Sequence, residues 1–138
     1  MRQSEVIKSR EFISQQVGFD GLQFGLCRPT DIDLSIDFQG KCFIFVELKT
    51  GSAPLTVGQR IHLSSLVDAI RAGGKPAFAI HASNVQPECG GDIFAAESEV
   101  VQVYDGAEGP KGKWKRIHDT TLLDMMTQIH FDYKKGNL

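Results

Sequence analysis

Apolar and polar positions recur along this chain with two different periods, which predict helices in some segments and strands in others. Residues 4–17 and 59–72 carry apolar side chains three or four positions apart, the spacing of an amphipathic helix. Gly18 and Gly73 follow these two segments, and glycine commonly ends helices. A similar pattern predicts a terminal helix at 120–130.

Strand-forming residues dominate the segments between and after these helices. The predicted strands are 22–27, 32–38, 42–48, 76–81, 100–104 and 113–117. The order is therefore α-β-β-β-α-β, followed by a C-terminal β-hairpin and helix. The strand reached through the second helix should run parallel to its neighbour, whereas hairpin partners run antiparallel. We therefore expect an α/β chain with a mixed sheet flanked by helices, in a single domain over residues 1–138.

The strand predicted at 42–48 changes abruptly from apolar to charged. Its continuous apolar run is followed by Glu47, Leu48 and Lys49. Strand alternation places Glu47 and Lys49 on one face and Leu48 in the core. Two charges next to a buried run cost free energy unless they pair or bind something. Such a pattern is typical of a metal-dependent site that cleaves phosphodiesters.

A tight turn brings a second acidic segment next to that strand end. If residues 39–41 form a three-residue loop, Asp33 lies opposite Glu47 and Asp31 lies opposite Lys49. Side chains paired in this way have Cβ atoms roughly 4.5–5.5 Å apart. Two carboxylates so close repel each other unless a cation lies between them. Because Mg²⁺ prefers oxygen ligands, the pair predicts a magnesium site.

These residues resemble a known nuclease signature. Asp33, followed after an apolar strand by Glu47-Leu48-Lys49, is similar to the Asp…(Asp/Glu)-x-Lys motif of the PD-(D/E)XK nuclease superfamily. The segment 29–33 resembles the first half of the motif, although it lacks the Pro-Asp dipeptide. Gln59 resembles a glutamine that follows the lysine in several branches, including virus-type replication-repair nucleases and Holliday-junction resolvases.

The resemblance extends over residues 1–83 and implies a restriction-endonuclease-like fold with an αβββαβ core. It also implies a divalent metal cofactor, Mg²⁺, for which Mn²⁺ would substitute. The implied metal ligands are Asp33, Glu47, the backbone carbonyl of Leu48, Asp31 and Glu5.

The implied catalytic residues are Asp33, Glu47, Lys49 and Gln59. Lys49 would orient or help deprotonate the attacking water and offset charge on the pentavalent phosphate. Gln59 would position water or a phosphate oxygen. The function implied is a Mg²⁺-dependent DNA endonuclease, either a resolvase that acts on branched or otherwise structured DNA or a simple nicking or repair nuclease. A domain this small offers a single site, so cutting both strands would require a homodimer. RNA is an alternative substrate.

Each candidate also has an ordinary structural interpretation. Asp31 is equally typical of a turn before a strand, and Gln59 of the first turn of a helix. Glu5 and Glu11 would face the site or solvent from the first helix. His81 would either contact substrate from the end of its strand or remain a buried structural residue.

The charge of the chain favours a different class of function. A formal net charge of −2 argues against a general nucleic-acid binder, although acidic metal ligands lower the charge of a nuclease. Basic residues cluster around Trp114 at 111–116, where they would contact phosphates or form an ordinary surface strand. A non-catalytic binding or assembly module, such as a viral or phage accessory protein, is therefore the alternative hypothesis.

Cysteine usage and hydropathy indicate where the chain works. Cys27, Cys42 and Cys89 are odd in number and widely spaced, which predicts free thiols in the reducing cytoplasm. No apolar run approaches the length of a membrane span, so we expect no membrane partner.

Overall fold

The computed structural model describes residues 20–85, 91–109 and 112–138. The helix predicted at 4–17, with Glu5 and Glu11, lies outside these ranges. The described elements are β1 (Leu34–Asp37), β2 (Phe43–Thr50), α1 (Val57–Ala72), β3 (Ala77–Asn84), β4 (Glu99–Tyr104), β5 (Lys115–Arg116) and α2 (Leu122–Lys135). Among the helices of the described part, none is long and apolar enough to cross a membrane.

The strands form one mixed sheet in the order β1-β2-β3-β4-β5. β2 and β3 are parallel, because α1 returns the chain from the end of β2 to the start of β3. The other neighbouring pairs are antiparallel. The predicted α/β chain with a mixed sheet and flanking helices is confirmed at this level.

The β1–β2 hairpin has the predicted register. Leu34 pairs with Val46, and the pairing continues to the three-residue loop 39–41. Gln39 and Gly40 both have positive φ angles, 58° and 71°. This left-handed backbone conformation allows a short loop to reverse the chain without shifting the register. The register in turn determines on which face of the sheet each side chain of the hairpin lies.

Two predicted strands are missing or shorter in the structure. Residues 22–27 form no strand, because Phe24 and Cys27 exchange two backbone hydrogen bonds of 2.8 and 3.0 Å around a turn. Gly25 in that turn has φ 64°, a conformation that glycine adopts without steric cost. The strand predicted at 113–117 is limited to the two residues of β5.

Several element ends also differ from prediction. α1 begins at Val57 rather than at residue 59, because Thr56 caps it. β3 continues to Asn84, since it pairs with β2 over its whole length. α2 runs past residue 130 until Gly136, with φ 73°, ends it.

The sheet packs one helix against each face. Alternate residues of β2 and β3 pack with α2 in a cluster that includes Ile44, Val46, Phe78, Ile80, Leu122 and Ile129. The intervening residues pack with α1 in a cluster that includes Phe43, Phe45, Leu63, Val67, Ala77 and Ala79. Leu48 packs against the α2 cluster, as predicted. Glu47 and Lys49 therefore project from the α1 face.

Candidate functional site

Register across the sheet aligns polar side chains on the α1 face. Glu47 on β2 pairs with His81 on β3, which pairs with Gln102 on β4. Gln102 in turn pairs with Arg116 on β5. Directly paired residues project from the same face of a sheet. Together with Asp33, which lies beside Glu47, they form a line from the β1 edge to the β5 edge, and we refer to these five residues as the polar row.

Glu47 is the buried carboxylate of the polar row, with 5% of its surface exposed. Its Oε1 accepts a hydrogen bond from Gln59 Nε2 at 2.8 Å. Burial and the neighbouring Asp33 carboxylate raise the pKa of Glu47 to about 7, although the Lys49 charge opposes this shift. At neutral pH the Glu47 carboxyl group is therefore partly protonated, and a bound cation would displace this proton.

Asp33 lies at the exposed end of the polar row, one residue before β1. Its Oδ2 accepts a hydrogen bond from the Leu48 backbone N–H at 2.7 Å. If β1 were longer, a main-chain carbonyl of β1 would accept this bond instead. This bond holds the Asp33 carboxylate beside Glu47. Asp31 is exposed and its predicted pairing with Lys49 falls outside the β1–β2 ladder. Its charge is the weakest of those that raise the pKa of Glu47.

A capping box at the start of α1 holds Gln59 in its position. Thr56 Oγ1 accepts the Gln59 N–H at 3.1 Å, and Gln59 Oε1 accepts the Thr56 N–H at 3.0 Å. Because the backbone occupies the amide oxygen, the amide nitrogen is left to donate to Glu47. The same side chain thus serves the helix start and orients the buried carboxylate.

Lys49 lies two positions beyond Glu47 on the same face and is half-buried. Its partner across the parallel ladder is Ser83. Within the described ranges, the one ion pair joins Lys115 Nζ to Asp105 Oδ1 at 3.9 Å. The Lys49 ammonium therefore influences Glu47 through its charge without being held by a described carboxylate.

His81, 3% exposed, lies inside β3 rather than at its end. Its Nδ1 is 3.1 Å from the Gln102 amide nitrogen, which donates, so the proton of the neutral ring is on Nε2. That buried Nε2 has no hydrogen-bond partner in the described part of the chain. Burial lowers the pKa of His81, the Ala53 backbone opposes this shift, and the charges of Lys49, Arg60 and Arg116 lower the pKa further, so the ring is neutral at neutral pH.

Asp33 and Glu47 provide the carboxylate oxygens that a hard divalent cation prefers. Across residues 20–85, 91–109 and 112–138, no three His, Cys, Asp or Glu side chains come together to hold a metal by themselves. Mg²⁺ commonly completes its shell with waters and substrate phosphate oxygens, so two carboxylates suffice. The donor set fits such an ion, because a cation would relieve the repulsion that raises the pKa of Glu47.

Three further polar residues lie on the surface. Asp37, His118 and His130 are exposed and contribute nothing to the polar row. Cys27 is exposed and Cys42 is buried, and neither forms a disulfide within the described residues, which do not include Cys89.

Sequence reasoning missed Arg60 and Gln102, which both lie near His81. The sequence does contain a signal for Arg60. The first turn of α1 has no acidic residue, and the basic residue there opposes the helix dipole. Gln102 carried none. Its place beside His81 depends on a β-bulge at the adjacent position, where the β3–β4 register shifts between His81 and Ala82.

Comparisons with known proteins add no family to this description. The family models, the curated proteins and the solved structures gave no match to this chain. Function is therefore inferred from the chemistry of the polar row and its neighbours.

The two tasks of Gln59 can be separated by mutation. Thr56→Ala and Gln59→Ala both remove the capping box and are each expected to lower the free energy of unfolding by about 1 kcal/mol. Gln59→Ala also removes the hydrogen bond to Glu47, so under the nuclease function proposed below it alone should lower metal-dependent cleavage, by about tenfold. Urea unfolding and single-turnover cleavage measure the two effects. An equal loss of cleavage in Thr56→Ala would mean that Gln59 matters only through the helix.

Proposed function

We propose that this chain is a Mg²⁺-dependent endonuclease of the PD-(D/E)XK type that hydrolyses DNA phosphodiester bonds. One observation carries the proposal: the Asp33 and Glu47 carboxylates lie side by side, with Gln59 bonded to Glu47 and Lys49 on the same strand face. These are the residues that the sequence resemblance assigns to the catalytic set.

The order of elements around the site supports the same proposal. β1, β2, α1 and β3 follow one another as a hairpin, a helix and a strand parallel to the second hairpin strand. This is the order of the last four elements in the αβββαβ core. The first helix of that core corresponds to residues outside the described ranges, and the first strand is replaced by the turn at 24–27.

Two carboxylates near a neutral imidazole suit metal binding better than proton transfer alone. Asp33 and Glu47 would hold the ion, with the Leu48 carbonyl as a further ligand. When bound, Mg²⁺ polarises the scissile phosphate and lowers the pKa of a coordinated water. His81 adds no positive charge that would compete with the cation, because burial keeps it neutral.

The remaining polar groups would act on the water and the phosphate. Hydrolysis forms a bond between the water oxygen and phosphorus, breaks one phosphorus–oxygen ester bond, and transfers a proton to the leaving oxygen. Lys49 would orient the water and offset the charge that builds on the phosphate oxygens. Gln59 would keep Glu47 oriented through the hydrogen bond already present in the free protein.

Cleavage of a substrate panel tests the proposal. Labelled linear duplex, single-stranded, flapped and four-way-junction DNAs are incubated with wild type in Mg²⁺, Mn²⁺ or EDTA, beside Glu47→Gln. We expect cleavage by wild type with Mg²⁺ or Mn²⁺ only, and the preferred DNA structure would define the substrate. A supercoiled plasmid distinguishes nicking from the double-strand cutting expected of a homodimer, and an RNA duplex tests the alternative substrate.

The same samples identify the alternative function. If no nucleic acid is cut and calorimetry detects no Mn²⁺ binding, the nuclease proposal is wrong. A non-catalytic binding or assembly module would then explain the acidic net charge better.

A further inference from the structure

We infer that the nucleic acid runs from the Asp33 and Glu47 carboxylates toward β5, with Arg60 and Arg116 binding backbone phosphates on that side of the cleaved bond. The inference rests on the proposed nuclease function, and it identifies the surface that receives the substrate beyond the reacting phosphate. Four features of the described residues support it.

Arg60 packs against an aromatic ring beside the site. Its guanidinium lies 5.3 Å from the centre of the Trp114 ring. Trp114 is fixed in turn, because its Nε1 donates to Ser64 Oγ at 3.1 Å, and Ser64 Oγ donates to the Arg60 carbonyl at 2.7 Å. A guanidinium stacked on an aromatic ring keeps its N–H groups free at the edge, where they can bind a phosphate in a bidentate manner.

Arg60 has no carboxylate partner within the described ranges. The one described ion pair involves Lys115 and Asp105 instead. In the first turn of α1, the positive charge of Arg60 also opposes the helix dipole. A half-buried guanidinium that lacks a carboxylate and lies one residue after Gln59 is suited to an anionic ligand at the same site.

Arg116 occupies the far end of the polar row. It is exposed on the edge strand β5 and is three strands away from Glu47. At about 4.8 Å per strand, the distance across the sheet is on the order of 14 Å. Arg116 would therefore reach a phosphate a few nucleotides from the cleaved bond, while Arg60 would reach a nearer one.

The opposite edge of the sheet has the opposite charge. Asp31, Asp33 and Asp37 are all exposed along β1 and the segment before it. Phosphates would be repelled there unless a metal neutralised them. The charge difference between the two edges therefore gives the substrate a direction, from the carboxylates toward Arg60 and Arg116.

Binding at several salt concentrations tests the inference. Ca²⁺ replaces Mg²⁺ to hold the complex without cleavage, and affinity for a labelled duplex is measured by fluorescence anisotropy. Arg60→Gln and Arg116→Gln should each weaken binding about five- to tenfold. Because each variant loses one phosphate contact, the negative slope of log K against log salt should become less steep by about 0.9 in each. Lys75→Gln, at the other end of α1, is the matched control and should change neither value.

Two further measurements test whether Arg60 and the neighbouring Trp114 lie at the bound nucleic acid. Arg60→Lys keeps the charge but not the planar fork, so it should restore the salt slope and only part of the affinity. Trp114 is the only tryptophan, so its fluorescence should change when wild type binds DNA. Arg116 is exposed, and its replacement leaves the core untouched.

The outcomes distinguish this inference from the proposed function. If wild type cleaves DNA but both arginine variants keep the wild-type slope, the substrate runs elsewhere and the nuclease proposal stands. If wild type neither binds nor cleaves nucleic acid, the nuclease proposal and this surface are both wrong. Loss of affinity in Lys75→Gln equal to that of the arginine variants would indicate non-specific attraction and would also overturn the inference.

Discussion

Lys49→Ala is expected to slow Mg²⁺-dependent cleavage by about a hundred- to a thousandfold while leaving the fold intact. The ammonium is half-buried on the site face and its charge acts on Glu47. In the proposed mechanism it would oppose negative charge that develops on the phosphate in the transition state, and removing one such group typically costs this much in rate. Truncation should not destabilise the protein, because Lys49 makes no described ion pair.

Single-turnover cleavage with saturating enzyme measures this effect without interference from product release. Lys41→Ala provides the control, because Lys41 is an exposed lysine in the loop of the same hairpin. Metal affinity should be unchanged or slightly stronger in Lys49→Ala, since a positive charge near the carboxylates has been removed. A Lys49→Ala rate within threefold of the Lys41→Ala rate would exclude Lys49 from the chemistry.

The hairpin shows what the sequence could predict about this site. Its register depends on local features, namely the Gln39-Gly40 turn and the alternation on either side, so Asp33 could be placed beside Glu47 in advance. The interaction between Gln59 and Glu47 depends on a longer connection. The resemblance placed Gln59 in the site but assigned it to water or a phosphate oxygen, whereas its hydrogen bond to Glu47 follows from the capping box with Thr56.

The side of the site nearest β5 could not be predicted in the same way. Gln102 meets His81 only because a bulge shifts the β3–β4 register, and no residue pattern marks that bulge. The stacking of Arg60 on Trp114 joins residues that are far apart in sequence, so local patterns cannot show it. The turn at 24–27 was mistaken for a strand because alternating apolar residues outweighed the single glycine in the pattern.

Metal binding at Glu47 is expected to depend on a proton. In the metal-free protein the pKa of Glu47 is raised from 4.5 to about 7, so the folded state holds this proton more tightly than the unfolded chain. The tighter proton binding by Glu47 stabilises the folded state fully below pH 4.5. This stabilisation is lost as the pH rises through about 7. Wild type should therefore lose about 2 kcal/mol of stability relative to Glu47→Gln over this range, less than the full shift implies because solvent reaches Asp33.

A cation must displace the same proton, so the apparent Mn²⁺ affinity should rise about tenfold per pH unit below pH 7 and level off above it. Titration calorimetry in buffers of different ionisation enthalpy should show about one proton released per ion at pH 6 and almost none at pH 8. Glu47→Gln has no proton to release and no charge to offer, so it should show neither strong binding nor pH dependence. Asp37→Asn, an exposed carboxylate on the same hairpin, should behave as wild type. Strong, pH-independent Mn²⁺ binding by Glu47→Gln would place the metal elsewhere, whereas loss of binding in this variant would indicate that the Glu47 carboxylate holds the metal.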